Sequence, residues 1–75
     1  LNRRDTVTKL VIANRGEIAR RILRTAREQH YQVAVVSTPE DRDALARTEA
    51  DRVLEVESFL DGEAIARAAR EWKAR

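Results

Sequence analysis

Four consecutive apolar residues, Leu10 to Ala13, pass through a turn with a single glycine straight into an amphipathic helix. This junction constrains the fold more than any other stretch. Strict alternation would mark a strand with one wet face, whereas an unbroken apolar run marks a strand covered on both faces, as in a parallel sheet. Lys9 to Ala13 is therefore predicted as strand one. Asn14 stands as the expected helix N-cap with Glu17 three positions on, in the manner of a capping box. Helix one follows, with Ile18, Ala19, Ile22, Leu23 and Ala26 spaced to form one buried stripe. Arg20, Arg21, Arg24, Arg27 and Glu28 take the remaining surface, and the spacing pairs Glu17 with Arg21 and Arg24 with Glu28.

The same alternation repeats twice more. Tyr31 to Ser37 reads as strand two, uniformly apolar from Val33 to Val36. Thr38-Pro39-Glu40-Asp41 has a hydroxyl N-cap, a proline at the first helical position and acids in the first turn, so helix two is predicted from there to about Ala50. Strand three, Arg52 to Val56, is interrupted by Glu55 and suits a sheet edge. Ser58 or Asp61 caps helix three, whose Ala64, Ile65, Ala68, Ala69 and Trp72 form its inner stripe. The order β-α-β-α-β-α argues for a Rossmann-like, three-layer α/β unit with a parallel sheet and right-handed crossovers.

Composition sets the scale. The chain has 75 residues, 43% of them hydrophobic and 37% charged. That is one domain, and one this short buries only about 60% of the surface exposed when unfolded. Residues 1–8 read as an N-terminal tail and 9–75 as the domain. No apolar run approaches the roughly 20 residues that span a bilayer, so no membrane role is expected. Without cysteine, neither disulfides nor thiolate metal sites can form. A cytoplasmic location is expected, or the mitochondrial matrix in a eukaryote. Fifteen Lys and Arg against thirteen Asp and Glu leave +2, interleaved along the helices, with only three aromatics. Nucleic-acid binding needs a basic strip with stacking rings, and none is present.

Catalytic chemistry finds little purchase. A dinucleotide site would need G-x-G-x-x-G at the first turn. The turn Asn14-Arg15-Gly16-Glu17 holds one glycine, and Glu17 would repel phosphate there. Gly16 reads as close packing between strand and helix. A lone histidine, His30, reads as a cap at the end of helix one. Glu40, Asp41 and Asp43 read as acids serving a helix dipole, and Trp72 as a core or interface anchor. No catalytic, cofactor-binding or metal-binding residue is assigned.

The segment A-N-R-G-E-I-A closely resembles the opening of biotin carboxylase, the ATP-dependent component of acetyl-CoA, propionyl-CoA and pyruvate carboxylases. VAVVSTPEDRDALARTEAD (33–51) and ESFLDGEAIARAAR (57–70) continue the resemblance in the family's order. It implies a partial N-terminal domain with strand order 3-2-1 and the family's fourth strand on the free side of strand one. It also implies an enzyme that uses ATP and Mg²⁺ to activate bicarbonate and then carboxylates biotin. The ATP-grasp lid, the metal-binding glutamates and the bicarbonate-binding arginine have no counterpart in these residues. This chain is therefore expected to bind no cofactor itself and to be inactive alone. The resemblance to bacterial biotin carboxylases further implies that helix one lies at a homodimer interface, through the positions matching Arg21, Arg24 and Glu28. The implied partners are the remainder of the carboxylase, or another chain, covering strand one, and a second copy through helix one. Two alternatives stand beside this reading: a free-standing interaction module that kept the fold, and a generic nucleotide-sensing domain. Where the family usually has Leu-Gly after helix one, this chain has Gln29-His30, so a glycine cap is lost.

Overall fold

The computed structural model describes residues 8–41 and 44–74. The expected tail, apart from Thr8, lies outside them, as does Asp43. Three strands, β1 (Lys9–Ile12), β2 (Gln32–Ser37) and β3 (Arg52–Glu55), form a parallel sheet in the order β1-β2-β3. Leu10 pairs with Val33, and Val35 with Val53. The expected 3-2-1 order is thus observed. Helix α1 (Gly16–Glu28) follows β1, α2 (Leu45–Glu49) follows β2, and α3 (Gly62–Lys73) follows β3.

Strand alternation divides the core into two layers. On one face Ile12, Val33 and Val35 meet Ala19, Leu23 and Ala26 of α1 and Ala46 of α2. On the other, Ala34 and Leu54 meet Trp72 of α3, with Val11 and Ala68 packed beside them. Uniform apolarity in β2 has this cause: Val33 to Val36 are buried whichever way they point. Trp72 is a core anchor, as its helical register predicted.

Helix α1 departs from expectation in three places. Its N-cap is Arg15, in extended conformation and without a side-chain cap bond, so Asn14 is not the cap. Gly16 is not a close-packing glycine, because a Cβ there would meet nothing within 4 Å. It is needed for its φ of 60°, a left-handed conformation that other residues adopt at a cost. The stripe is also narrower than predicted: Ala19, Leu23 and Ala26 are buried, but Ile18 is 60% and Ile22 38% exposed. Helix α2 covers only one flank of α1. The opposite flank, toward the free edge of β1, opens into an apolar groove of about 490 Å³ lined by Leu10, Ile22, Ala26 and Tyr31.

Helix two is shorter than its start signal promised. Pro39–Asp41 forms a 3₁₀ turn, and Ala44, extended at ψ 138°, precedes the five-residue α2. The Asp41 carboxylate is turned back onto Thr38, whose hydroxyl donates to Oδ2 at 2.8 Å. It therefore does not serve a continuing helix dipole. Helix α3 starts at Asp61, whose Oδ1 accepts from the Ala64 amide at 3.0 Å.

The end of α1 is closed without a glycine. His30 N–H donates to Arg27 O and Tyr31 N–H to Ala26 O, the double bond pattern of a Schellman motif. His30 holds φ 66° there. It caps through its backbone, not its imidazole. A left-handed non-glycine residue costs about 1–2 kcal/mol. His30→Gly should therefore raise stability by about 1 kcal/mol, after the extra freedom glycine gives the unfolded chain. In a domain of this size that lifts the thermal midpoint by roughly 4–8 °C. A melt no higher than the parent's would contradict the strain.

Candidate functional site

In open parallel α/β sheets, ligands bind beyond the carboxyl ends of the strands, at a point where successive crossovers leave on opposite faces. Here α1 and α2 share one face and only α3 crosses to the other. No such reversal falls between β1, β2 and β3. The carboxyl edge opens between the end of β3 and α3 into a space of about 390 Å³ lined by Pro39, Glu55, Val56, Asp61, Arg67 and Glu71; beyond β1 and β2 it closes on itself. The space among Asn14, Arg15, Gly16, Ser37, Asp41, Arg47 and Phe59 is about 20 Å³, room for about one water.

Arg15 closes that edge. Its Nε and Nη2 donate to Asp41 Oδ1 at 3.1 and 2.9 Å, and Glu40 lies at 3.6 Å. Its guanidinium sits 5.5 Å from the centre of the Phe59 ring. The three loops that follow β1, β2 and β3 thus meet at one side chain. Burial opposes the charge on Asp41, but hydrogen bonds from Arg15 and Thr38 outweigh it and hold its carboxyl below the ordinary value. Behind this clasp, Arg47 donates to Ser37 Oγ at 2.8 Å and lies 3.8 Å from Glu55.

A second group of ion pairs ties α1 to α2 and β3. Arg20 grips both oxygens of Glu49 at 3.0 Å and lies 3.8 Å from Glu17. Arg27 donates to Glu49 O and to Asp51 Oδ1. The other oxygen of Asp51 accepts the Val33 amide at 2.8 Å, and Asp51 N–H donates to Val33 O. The hydrogen bond from Arg20 holds Glu49 below its ordinary value, against partial burial and with help from the charges of Arg20, Arg24 and Arg27.

These shifts carry a pH dependence. Both carboxyls titrate lower folded than unfolded, so their contribution is complete above their ordinary values of 3.8 and 4.5. It is lost as pH falls through the lower folded values. The melting temperature should hold down to about pH 5 and fall below about pH 4. The Asp41→Asn, Glu49→Gln double variant should show a shallower acid limb. An equally steep limb would place the sensitivity elsewhere.

The expected site residues distribute as follows. Of the turn motif, Arg15 reaches Asp41, Gly16 supplies the backbone conformation, and Glu17 lies in the first turn of α1. Asn14 and Arg15 line the small enclosed space with Gly16. Arg21, Arg24 and Glu28 are all exposed. The predicted Glu17–Arg21 and Arg24–Glu28 pairs do not form within 4 Å; Glu17 faces Arg20, which α2 draws toward Glu49. No cluster of three metal-ligating side chains occurs among the described residues. No helix among them is long and apolar enough to cross a membrane. The Arg15–Asp41 and Arg27–Asp51 contacts escaped sequence reasoning because 26 and 24 residues separate the partners. The one local signal was Asp51, an acid set immediately before a strand.

Known proteins share this fold. The chain is 40% identical over 72 residues to the mitochondrial methylcrotonoyl-CoA carboxylase subunit alpha of Glycine max, covering 88% of this chain and 10% of that protein. It is 42% identical over 73 residues to biotin carboxylase 2 of Bacillus subtilis, covering 89% and 16%. The biotin carboxylase domain of a single-chain bacterial carboxylase superposes with a TM-score of 0.84 at 33% identity, over 89% of this chain and 17% of that one. The chain thus spans between a tenth and a sixth of these relatives. The model of the biotin carboxylase N-terminal domain matches residues 6–75. With its three parallel strands in the same arrangement and the A-N-R-G-E-I-A turn at the end of the first, the chain belongs to the biotin carboxylase N-terminal domain family.

Proposed function

We propose that this chain is the opening segment, or a shortened form, of the biotin carboxylase domain of an ATP- and biotin-dependent carboxylase. It supplies framework and interface, while the catalytic groups lie in parts of the enzyme beyond these residues. The observation that carries this reading is the Arg15 clasp: it joins the loops after β1, β2 and β3, leaves room for about one water beneath it, and commits its guanidinium to Asp41. In the parent enzyme ATP, Mg²⁺, bicarbonate and biotin would be handled elsewhere.

Two surfaces support a framework role. Lys9 Nζ donates to Trp72 O at 3.2 Å, so the end of α3 lies against the start of β1. A right-handed crossover from there sets a following strand on the free side of β1, beside the apolar groove of Leu10, Ile22 and Tyr31. On α1, Arg21, Arg24 and Glu28 are all exposed on the side away from the core residues Ala19, Leu23 and Ala26 and offer a face for a second copy.

The test is a segment exchange. Residues 9–74 replace their counterpart in biotin carboxylase 2 of Bacillus subtilis, and bicarbonate- and biotin-dependent ATP hydrolysis is measured. The chimera should be active and the 75-residue chain alone inactive. Arg24→Glu in the chimera should shift sedimentation toward monomer without loss of fold. A folded but inactive chimera, or ATP hydrolysis by the isolated chain, would refute the assignment. Unchanged sedimentation would refute the helix-one interface.

A further inference from the structure

Leu60 is 95% exposed, the barest large apolar side chain described, and it directly follows the Phe59 ring that Arg15 covers. Its loop is ordered from three sides. Leu60 N–H donates to Ser58 Oγ at 3.0 Å, Asp61 N–H donates to Ser58 O, and Asp61 caps α3. A leucine left outside a core is ordinary; one held outside by a hydrogen-bonded loop and an arginine clasp is in a defined place. We infer that Arg15 is a positioning residue: through Phe59 it fixes the β3–α3 loop so that Leu60 projects as an apolar anchor for the following part of the biotin carboxylase.

The proposed occupant rests on the assignment above and on two observations. The segment covers only 16% and 17% of two biotin carboxylase relatives, so most of such an enzyme remains to pack against it. Leu60 also has three exposed acids within three positions of it in the chain, Glu57, Asp61 and Glu63. An apolar tip on so acidic a segment fits an apolar socket rimmed by basic groups. It does not fit an anionic lipid surface, which those acids would repel. Arginine suits the clasp because its planar fork grips a carboxylate while its face stacks on a ring, which lysine cannot reproduce.

Two measurements test the two halves of the inference. In the isolated chain, amide order parameters of Phe59 and Leu60 should fall from about 0.85 to below about 0.6 in Arg15→Ala, while β2 stays rigid. Arg15→Lys should resemble Arg15→Ala more than the parent. Unchanged order in Arg15→Ala, or full order in Arg15→Lys, overturns the clasp. For the anchor, Leu60→Ala should leave the melting temperature of the isolated chain unchanged and lower that of the segment-exchange chimera by several degrees. A Leu60→Ala chimera that melts with the parent chimera overturns the anchor even if it is active. A parent chimera that folds without activity fails the functional assignment instead, and the melting comparison still decides the anchor. Should the parent chimera not fold, the anchor falls with that assignment, and the order parameters still decide the clasp.

Discussion

Leu23→Ala is expected to destabilise the chain by about 2–5 kcal/mol, the range for deleting a fully buried leucine. Leu23 is 0% exposed and sits on the sheet among Ile12, Val33 and Val35. Its helical neighbours on that face, Ala19 and Ala26, are too small to move into the space, and so is Ala46 of α2. The cavity would therefore persist, which places the cost toward the upper end. Domains hold roughly 0.05–0.15 kcal/mol per residue, or about 4–11 kcal/mol for a chain of this length. A large share of the total is thus lost at one position. Ile22→Ala, on the bare flank one residue earlier, should cost about 1 kcal/mol or less, because much of its surface already meets water. Urea titrations of both variants check the contrast. Equal midpoints would mean that α1 is not seated as described.

The three strands and the parallel order were legible because they follow from periodicity. Val33 to Val36 left no polar face, and only a sheet covered on both sides accommodates that. Trp72 was legible for the same reason, standing in register with Ala68. Asn14 misled because its type and position fit a cap, while the geometry of the turn is set by Gly16 in the left-handed region. Ile18 and Ile22 misled because helical periodicity reports which face is apolar, not which neighbours are present to cover it. Helix two was overestimated because Thr38-Pro39 is a start signal without a length. The Asp41 carboxylate that should have followed it is drawn to Arg15, a partner 26 positions away. Such pairings are set by the arrangement of loops at the sheet edge, which no local pattern encodes.

Trp72→Ala is expected to cost about 3–5 kcal/mol and to release α3 from the sheet. The second core layer is thin: Trp72, with Ala68 beside it, covers Val11, Ala34 and Leu54. The rest of the inner stripe of α3, Ala64, Ile65 and Ala69, is only half-buried, so it cannot hold the helix once the ring is gone. The ring also lies 5.3 Å from Lys9 Nζ, which donates to the Trp72 carbonyl. Truncation therefore removes the cation–π contact and loosens the hydrogen bond with the same change. The first layer, built by α1 and α2, does not touch Trp72. Loss should begin in α3, with helical circular dichroism falling before the strand signal as urea is raised. Bared Val11, Ala34 and Leu54 would join one apolar sheet face, so the variant should self-associate at concentrations where the parent does not. Trp72→Phe, which keeps a ring over the same three residues, should retain most of the stability. A Trp72→Ala chain with parental helicity and melting temperature would show that α3 is held by something other than this side chain.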